Sequence, residues 1–541
     1  MNRNSITMGA LIGAVITAPL IALMYLGQQI LGQTFPPFEL FNWISGILPG
    51  PVITFGIDLM IDTMLFLGIN VANTAKIAEQ GMAVLLFYLS GIIASAVFFL
   101  ILDRLQLKVD WLAGLVMGML FGLPVAIISV GVEDSGIPSI LGLLWFLILF
   151  LWWGMTMSWA HQRLFAVEPQ VDAEEGEIPS VEKIDRRKFL VLLSGSAAAI
   201  TVVGTGLGAL LNTYERREQE GSSTAHDAGE TDQESFPNAN DPVVPVPGTR
   251  PEYTPLKDHY KVFLELEPTV ISGDSWRLPV TGLVGSPMML TLDDLRNNYQ
   301  PRHQYVTLSC ISGRIGTSLI STTLWTGASL QEVLADADVS PQARFLHIIS
   351  GDGFYETVDL DLVASDERIM LCYAWDGHSL PVDHGFPLRI WYPDRYGMKQ
   401  PKWITGIEIT SDYREGYWVE RGWDEIAQVK TTSVIDTVAV DAIIEDGDQR
   451  LIPIGGIAFS GARGISLVEV RVDGGPWEPA QLRSPLSETT WVIWRYEWPF
   501  EAGEHTFEVR CVEGDGTPQI EEPDDSRPSG ATGIHSRNAN I

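Results

Sequence analysis

The stretch 383–409, DHGFPLRIWYPDRYGMKQPKWITGIEI, gathers His384, Arg389, Arg395, Lys399 and Lys402 around Gly385 and Gly397. The rest of the chain is acidic: 35 Lys and Arg stand against 67 Asp and Glu, for a net charge of −32 over 541 residues. A cationic block in such a chain is a candidate anion cradle. Arg offers phosphate a planar fork and Lys a point charge, and glycine lets backbone N–H groups approach an anion. The competing reading is a cluster of surface ion pairs with the abundant carboxylates. Within the block, FPLRIWY and ITGIEIT have the apolar, β-branched and aromatic texture of strands.

Outward from the block the texture stays mixed. ARFLHIIS and RIMLCYAW read as strands, and LDDLR (292–296) and SLQEVLADA (329–337) read as short helices. Irregular mixing without steady βαβ repetition predicts an α+β domain over 251–432. Within it, VTLSCISGRIG (306–316) delivers Cys310 from a strand into a Gly/Ser-rich loop, with Arg314 four residues on. A nearby cation stabilises a thiolate. The chain has 3 cysteines, too few for a disulfide framework. Cys372 and Cys511 sit in strand patterns and read as buried, inert thiols. A soft thiolate and an anion cradle together suggest a bound cofactor whose metal takes sulfur. A Cys–His nucleophilic transferase or hydrolase, with His384 activating Cys310, is the alternative enzyme reading. A membrane-tethered binding or scaffold protein without catalysis is a third.

After residue 433 helical signals vanish. LVEVRVDGGPW alternates Val468, Val470 and Val472 with charged residues and turns at Asp473-Gly474-Gly475, a hairpin signal. WVIWRYEW and HTFEVRCV continue the strand pattern. An immunoglobulin-like β-sandwich over 433–515 is the expectation, followed by a tail over 516–541 that is flexible or wrapped on the surface.

On the N-terminal side, 212–250 is rich in Glu, Asp, Ser, Thr and Pro and reads as a solvated linker. Residues 1–211 are largely apolar. Uncharged runs at 5–31, 82–102, 111–130, 137–160 and 189–211 are long enough to span a bilayer. A sixth run, 51–69, carries Asp58 and Asp62, each costing about 2.5–3.5 kcal/mol at a helix centre. The clusters at Arg3, at Arg104 and Lys108, and at Arg163 with Arg186, Arg187 and Lys188 share one side only with five spans. This places 33–80 outside as an extracytoplasmic or interfacial segment, and 212–541 outside as well. The alternative is an intramembrane acid pair that moves protons or ions. No histidine lies inside these runs, although His161 sits at the end of one, which argues against bis-histidine haem in these helices; no Cys-x-x-Cys-His occurs, which excludes c-type haem. The acidic balance argues against nucleic-acid binding, which wants a basic face. DRRKFL (185–190) serves as a positive-inside anchor and fits loosely a twin-arginine export signal, which carries folded proteins.

Taken in order, DSWRLPVTGLV, VTLSCISGRIG, LWTGASLQEVL, the 383–403 block and YWVERGW make residues 251–515 resemble the sulfite oxidase family of molybdopterin-dependent oxidoreductases. With GATGIH (530–535), the whole chain resembles that family's membrane-anchored bacterial branch. The resemblance implies a molybdenum cofactor (Mo-molybdopterin) whose metal takes one protein cysteine, here Cys310. It puts His259, Tyr260, Ser350, His384, Arg389, Gln400 and Lys402 on cofactor-binding positions, and the sandwich on a dimerisation-type domain. Two family features are absent. The upstream Arg-Asn-His stretch is replaced by YKVFLEL, leaving Arg314 or Lys261 as candidate anion binders. The catalytic tyrosine is replaced, at the nearest position, by Trp423. The implied activity is two-electron redox or oxygen-atom transfer on a small substrate that is not fixed as sulfite. A separate electron-transfer partner, a cytochrome or a membrane quinone route, completes the expectation, together with a multi-pass location in the cell membrane.

Overall fold

The computed structural model describes residues 3–31, 33–67, 71–105, 110–131, 140–165, 186–222, 236–447 and 449–541. The chain divides into two compact units, 1–48 with 77–223, and 49–76 with 224–541. Lys108, residues 223–235 and the side chains of Arg3, Asp58, Asp62 and Arg186 lie outside the described set, so the readings placed on them stay expectations.

The N-terminal part is helical: α1 (Arg3–Leu31), α2 (Pro36–Ile47), α3 (Gly50–Phe66), α4 (Val71–Leu105), α5 (Trp111–Gly131), α6 (Ile140–Phe165) and α7 (Arg186–Ser222). Among the described residues 5 helices are long and apolar enough to cross a membrane, within α1, α4, α5, α6 and α7. The run around Asp58 and Asp62 is helical as α3 and is not one of them. In the first unit, α5 and α6 meet along a glycine seam. A Cβ on Gly154 would come within 2.2 Å of the Gly114 carbonyl oxygen, so only glycine lets these backbones touch. Trp153 Nε1 donates to Thr17 Oγ1 at 3.2 Å, tying α6 to α1.

The second unit holds two folded layers of chain. Residues 278–410 carry β1 (Leu278–Gly282), β2 (Met288–Leu290), β3 (Arg302–Ser309), β4 (Ile320–Ser329), β5 (Phe345–Ser350), β6 (Tyr355–Asp359), β7 (Met370–Trp375), β8 (His378–Ser379), β9 (Arg389–Trp391) and β10 (Ile404–Thr410). Among them lie α8 (Leu292–Asn297), α9 (Leu330–Asp336) and α10 (Leu360–Ser365). A capping box starts α8: Asp294 N–H donates to Thr291 Oγ1 at 3.1 Å and Thr291 N–H to Asp294 Oδ2 at 2.8 Å. One sheet runs β2-β1-β10-β5-β6, the other β3-β4-β7-β8 with β9 on β7. Leu278, Val280, Leu346, Ile348 and Ile407 of the first sheet share a core with Leu371 and Ile390 of the second. Strand β7 is buried throughout. Its alternation sends Leu371 and Tyr373 into this core, and Met370 and Cys372 into another cluster with Trp325, Trp375 and Cys310. That second cluster is the floor of the candidate site.

The C-terminal strands are β11 (Thr432–Val438), β12 (Ile444–Asp446), β13 (Gln449–Phe459), β14 (Ile465–Val472), β15 (Glu478–Pro479), β16 (Gln481–Leu482), β17 (Val492–Pro499), β18 (Glu504–Glu513) and β19 (His535–Asn540). They form two sheets, β11-β13-β17-β16 with β12 on β13, and β15-β14-β18-β19. Ile452, Ile454 and Trp494 of one sheet pack with Val468, Val470, Phe507, Val509 and Cys511 of the other. The hairpin turn forms as read, with Asp473 and Gly474 at φ 51° and 70°.

One segment differs from expectation. The linker expected over 212–250 is helical through Ser222 and is packed from Phe236 onward. Arg483 donates to the carbonyls of Asn238 and Val243 at 3.0 and 2.9 Å, and Arg250 pairs with Asp436 at 2.7 Å. Polar composition concealed the apolar anchors Phe236 and Val246, both buried. The tail takes the wrapped of its two readings, because β19 pairs with β18 and His535 Nδ1 accepts the Ile435 N–H at 3.2 Å. Deleting 531–541 exposes the β18 edge, and should lower the melting temperature of the purified chain by about 5 °C or more. An unchanged thermal transition would show that the strand contributes nothing.

Candidate functional site

Cys310 ends β3. Its N–H donates to the Leu319 carbonyl at 3.0 Å, and its own carbonyl accepts from Gly313 N–H at 3.2 Å, so the loop is closed tightly around it. The Sγ lies 3.1 Å from Ser312 Oγ. Burial pushes the thiol up from its usual range, and Ser312 opposes that shift. Arg314 is solvent-exposed and is not among the groups acting on the thiol. The expected cation–thiolate pair is therefore not how this sulfur is arranged: the loop turns the side chain four residues on outward to water. A buried thiolate here needs another positive partner, and a coordinated metal supplies one.

Beside it, three aromatic rings interlock. His259 and Trp375 lie 4.6 Å apart by ring centroids, Trp375 and His384 4.6 Å, and His259 and His384 5.0 Å. Both imidazoles are buried. Burial drives His259 from 6.5 down to about 3, and His384 also falls well below its usual value, burial again leading. His259 Nδ1 lies 3.1 Å from the Tyr260 carbonyl oxygen. A neutral imidazole facing a carbonyl carries its proton there, which leaves Nε2 as an acceptor.

Arg389, on β9, is buried with its guanidinium carbon 4.4 Å from the Trp325 ring and 5.8 Å from that of Trp375. It donates to the His384 carbonyl at 3.1 Å. Among the described residues no carboxylate pairs with it. Burial lowers its pKa to about 10. Lys402 donates to the carbonyls of Val262 and Asp383 at 3.0 and 3.3 Å, and burial, with Arg389 next, lowers it to about 7. Gly385 brings these segments together: it sits at φ 111°, and a Cβ would come 2.9 Å from that of Lys402.

Tyr260 is buried, and its hydroxyl would meet a Cβ on Gly397 at 2.9 Å. Gln400 is buried and donates to the carbonyls of Tyr392 and Arg395 at 3.2 and 3.0 Å. Ser350 ends β5 opposite Ile404. Trp423 is packed in an apolar cluster with Ile311, Tyr396 and Met398, under the Arg527 guanidinium at 4.8 Å. Lys261 is paired with Asp383 at 2.5 Å.

Sequence reading missed the two indoles, Trp325 and Trp375. It also missed a buried ion pair. Lys399 Nζ donates to Glu356 Oε1 at 2.6 Å, and the glutamate side chain is 0% exposed. This pair fixes the 397–402 segment from below, and breaking one half of such a pair costs about 3–5 kcal/mol. Nothing in the alternating run YETVD marks Glu356 as a buried partner.

Among the described residues His259 Nε2, His384 Nε2, Arg389 Nε, Ser350 Oγ and Gln400 Oε1 are buried without hydrogen-bond partners. Native interiors rarely leave such groups unsatisfied. The arrangement presents acceptors from neutral rings and an amide, donors from a guanidinium, and a thiol, as a heterocyclic, anionic, metal-bearing ligand requires.

The sequence pattern of the oxidoreductase molybdopterin binding domain matches residues 265–418. Mitochondrial sulfite oxidase of Homo sapiens is 28% identical over 283 residues, covering 44% of this chain and 52% of that protein. Nitrate reductase (NADH) of Lotus japonicus is 28% identical over 254 residues, covering 37% of this chain and 28% of that protein. The chain thus spans about half the length of the sulfite oxidases it matches. Among solved structures, the sulfane dehydrogenase SoxCD from Paracoccus pantotrophus aligns with a TM-score of 0.45 at 19% identity, over 53% of this chain and 83% of that chain. Residues 265–418 thus match a molybdopterin-binding domain of oxidoreductases, and this part of the chain is similar to sulfite oxidases and nitrate reductases.

Proposed function

We propose that this chain is a membrane-anchored oxidoreductase that works through a molybdenum cofactor, with Cys310 as the protein ligand of the metal. The observation that carries this reading is the group of buried, unpartnered polar atoms around an unpaired guanidinium. When bound, the cofactor supplies two-electron redox or oxygen-atom transfer. The protein's part is binding and orientation. Arg389 and Lys402 compensate the charge of the phosphate-bearing group. His259 and His384, neutral, offer ring nitrogens, and His259 holds its proton at Nδ1 toward the Tyr260 carbonyl. Gln400 offers Oε1 and Ser350 its hydroxyl. Ser312 steadies the Cys310 sulfur, while Trp325 and Trp375 exclude water from the floor.

The apolar helices support membrane anchoring. The Arg and Lys clusters on one side of a five-span arrangement favour an extracytoplasmic catalytic region, and Arg186-Arg187 fits export of a folded, cofactor-loaded domain. The paired C-terminal sheets favour an immunoglobulin-like dimerisation domain. The substrate is a small molecule, and electrons pass to or from a separate partner, a cytochrome or a quinone-linked carrier. The missing upstream arginine and tyrosine argue for substrates beyond sulfite, so sulfoxides and N-oxides belong in the same dye-coupled screen.

The purified chain should hold about one molybdenum per chain, and Cys310→Ser should abolish dye-coupled turnover. Full activity without molybdenum would sink the proposal. The neutral imidazole gives a second expectation. Unfolded His259 binds its proton near 6.5 but folded only near 3, so it stabilises fully above 6.5, and that stability is lost as pH falls toward 3. Acidifying from about pH 7 to 5 should therefore destabilise the wild type by about 2 kcal/mol more than His259→Phe, read by chemical unfolding. Parallel pH slopes for the two proteins would contradict a neutral, buried His259.

A further inference from the structure

Lys76 lies outside the matched domain: 189 residues separate it from Glu265, the first matched residue. Yet residues 49–76 belong to the same compact unit as 224–541. Within that unit Lys76 Nζ donates to the Glu265 carbonyl at 3.0 Å and sits 4.7 Å from the centre of the Phe263 ring. Lys402 Nζ is 5.0 Å from the centre of the same ring and 4.6 Å from that of Trp403. Phe263 and Trp403 meet edge to face at 5.7 Å. One aromatic ring is thus shared by two ammonium groups, which repel each other and gain only weakly from the ring.

Carboxyls act on these cations as well: Lys76 acts on Glu265, beside which Glu267 lies, and Asp352 and Asp383 act on Lys402. Glu265 rises to about 7, chiefly by burial and then by Asp352, so part of it is protonated near neutral pH. Asp352 is raised as well, by burial first. Asp383 is engaged with Lys261. Arg389 and Lys76 both add positive potential at Lys402. In a chain of net charge −32, such a concentration of cations on one rim implies an anion.

We propose that Lys76 is part of the anion-binding rim of the cofactor site. It is a positioning residue that holds Phe263 and the Glu265 backbone against Lys402 and adds its charge to that of Lys402 and Arg389 toward the phosphate-bearing cofactor. The segment before the matched domain thereby takes part in cofactor retention. This rests on the molybdenum-cofactor reading.

The test is cofactor release from the purified full chain, followed as molybdenum by metal analysis and as pterin by fluorescence after denaturation. In about 0.1 M salt Lys76→Met should release cofactor about threefold faster than wild type, and Lys76→Arg should match wild type. In about 1 M salt, where screening acts within about 3 Å, the gap should close. Equal release by Lys76→Met and wild type in low salt, or equal acceleration in Met and Arg variants, overturns the proposal. Wild type without molybdenum would instead overturn the cofactor reading itself. If Lys76→Met does not fold, acetylation of Lys76 in the wild type decides. It should be about threefold slower in loaded protein than in protein produced without molybdate. Equal labelling overturns the proposal.

Discussion

Among the described residues, one guanidinium is buried without a carboxylate partner. Arg389 lies on two indole faces and donates to the His384 carbonyl, and burial pulls its pKa down to about 10. Stacking on an indole returns about 2 kcal/mol when desolvated, while the effective penalty for a buried ion is several kcal/mol. An anionic ligand removes the imbalance. The rest of the site is organised to keep that charge where it is. Strand β9 fixes its backbone on β7, Gly385 admits Lys402 beside it, and the Glu356–Lys399 pair holds the returning segment from beneath.

The same layout explains the state of the other groups. Two neutral histidines and a raised thiol follow from one dry floor, formed by Trp325, Trp375 and Met370. In that environment each uncharged nitrogen is a stronger director of a ligand than it would be in water, because few competing partners reach it. A free thiol there is not a ready nucleophile, since burial disfavours its charged form and Arg314 is exposed. This weighs against acyl-transfer chemistry at Cys310 and fits a sulfur that is deprotonated by a metal.

Much of this was legible in the sequence. The strands around 345–350, 370–375 and 404–410 and the short helices at 292 and 330 lie where the texture of the sequence put them. Arg389 and Lys402 were marked by being cations in an acidic chain, and His384 by standing in the same block. What escaped has a common physical cause. Trp325 and Trp375 look like ordinary core in sequence, and Glu356 is indistinguishable from a surface glutamate until β6 is docked under Lys399. Lys76 touches Phe263 only across a separation that no local pattern reports. Arg314 shows the converse error, because closeness in sequence at a turn did not give closeness in space. The 236–250 segment shows it again, where a few apolar anchors outweighed a polar composition.

The central claim is that the Cys310 sulfur is bonded to molybdenum. X-ray absorption at the molybdenum edge measures this directly, in wild type and in Cys310→Ser loaded with cofactor. The account predicts one fewer sulfur neighbour at bonding distance in the variant. An identical sulfur shell in both proteins would contradict it.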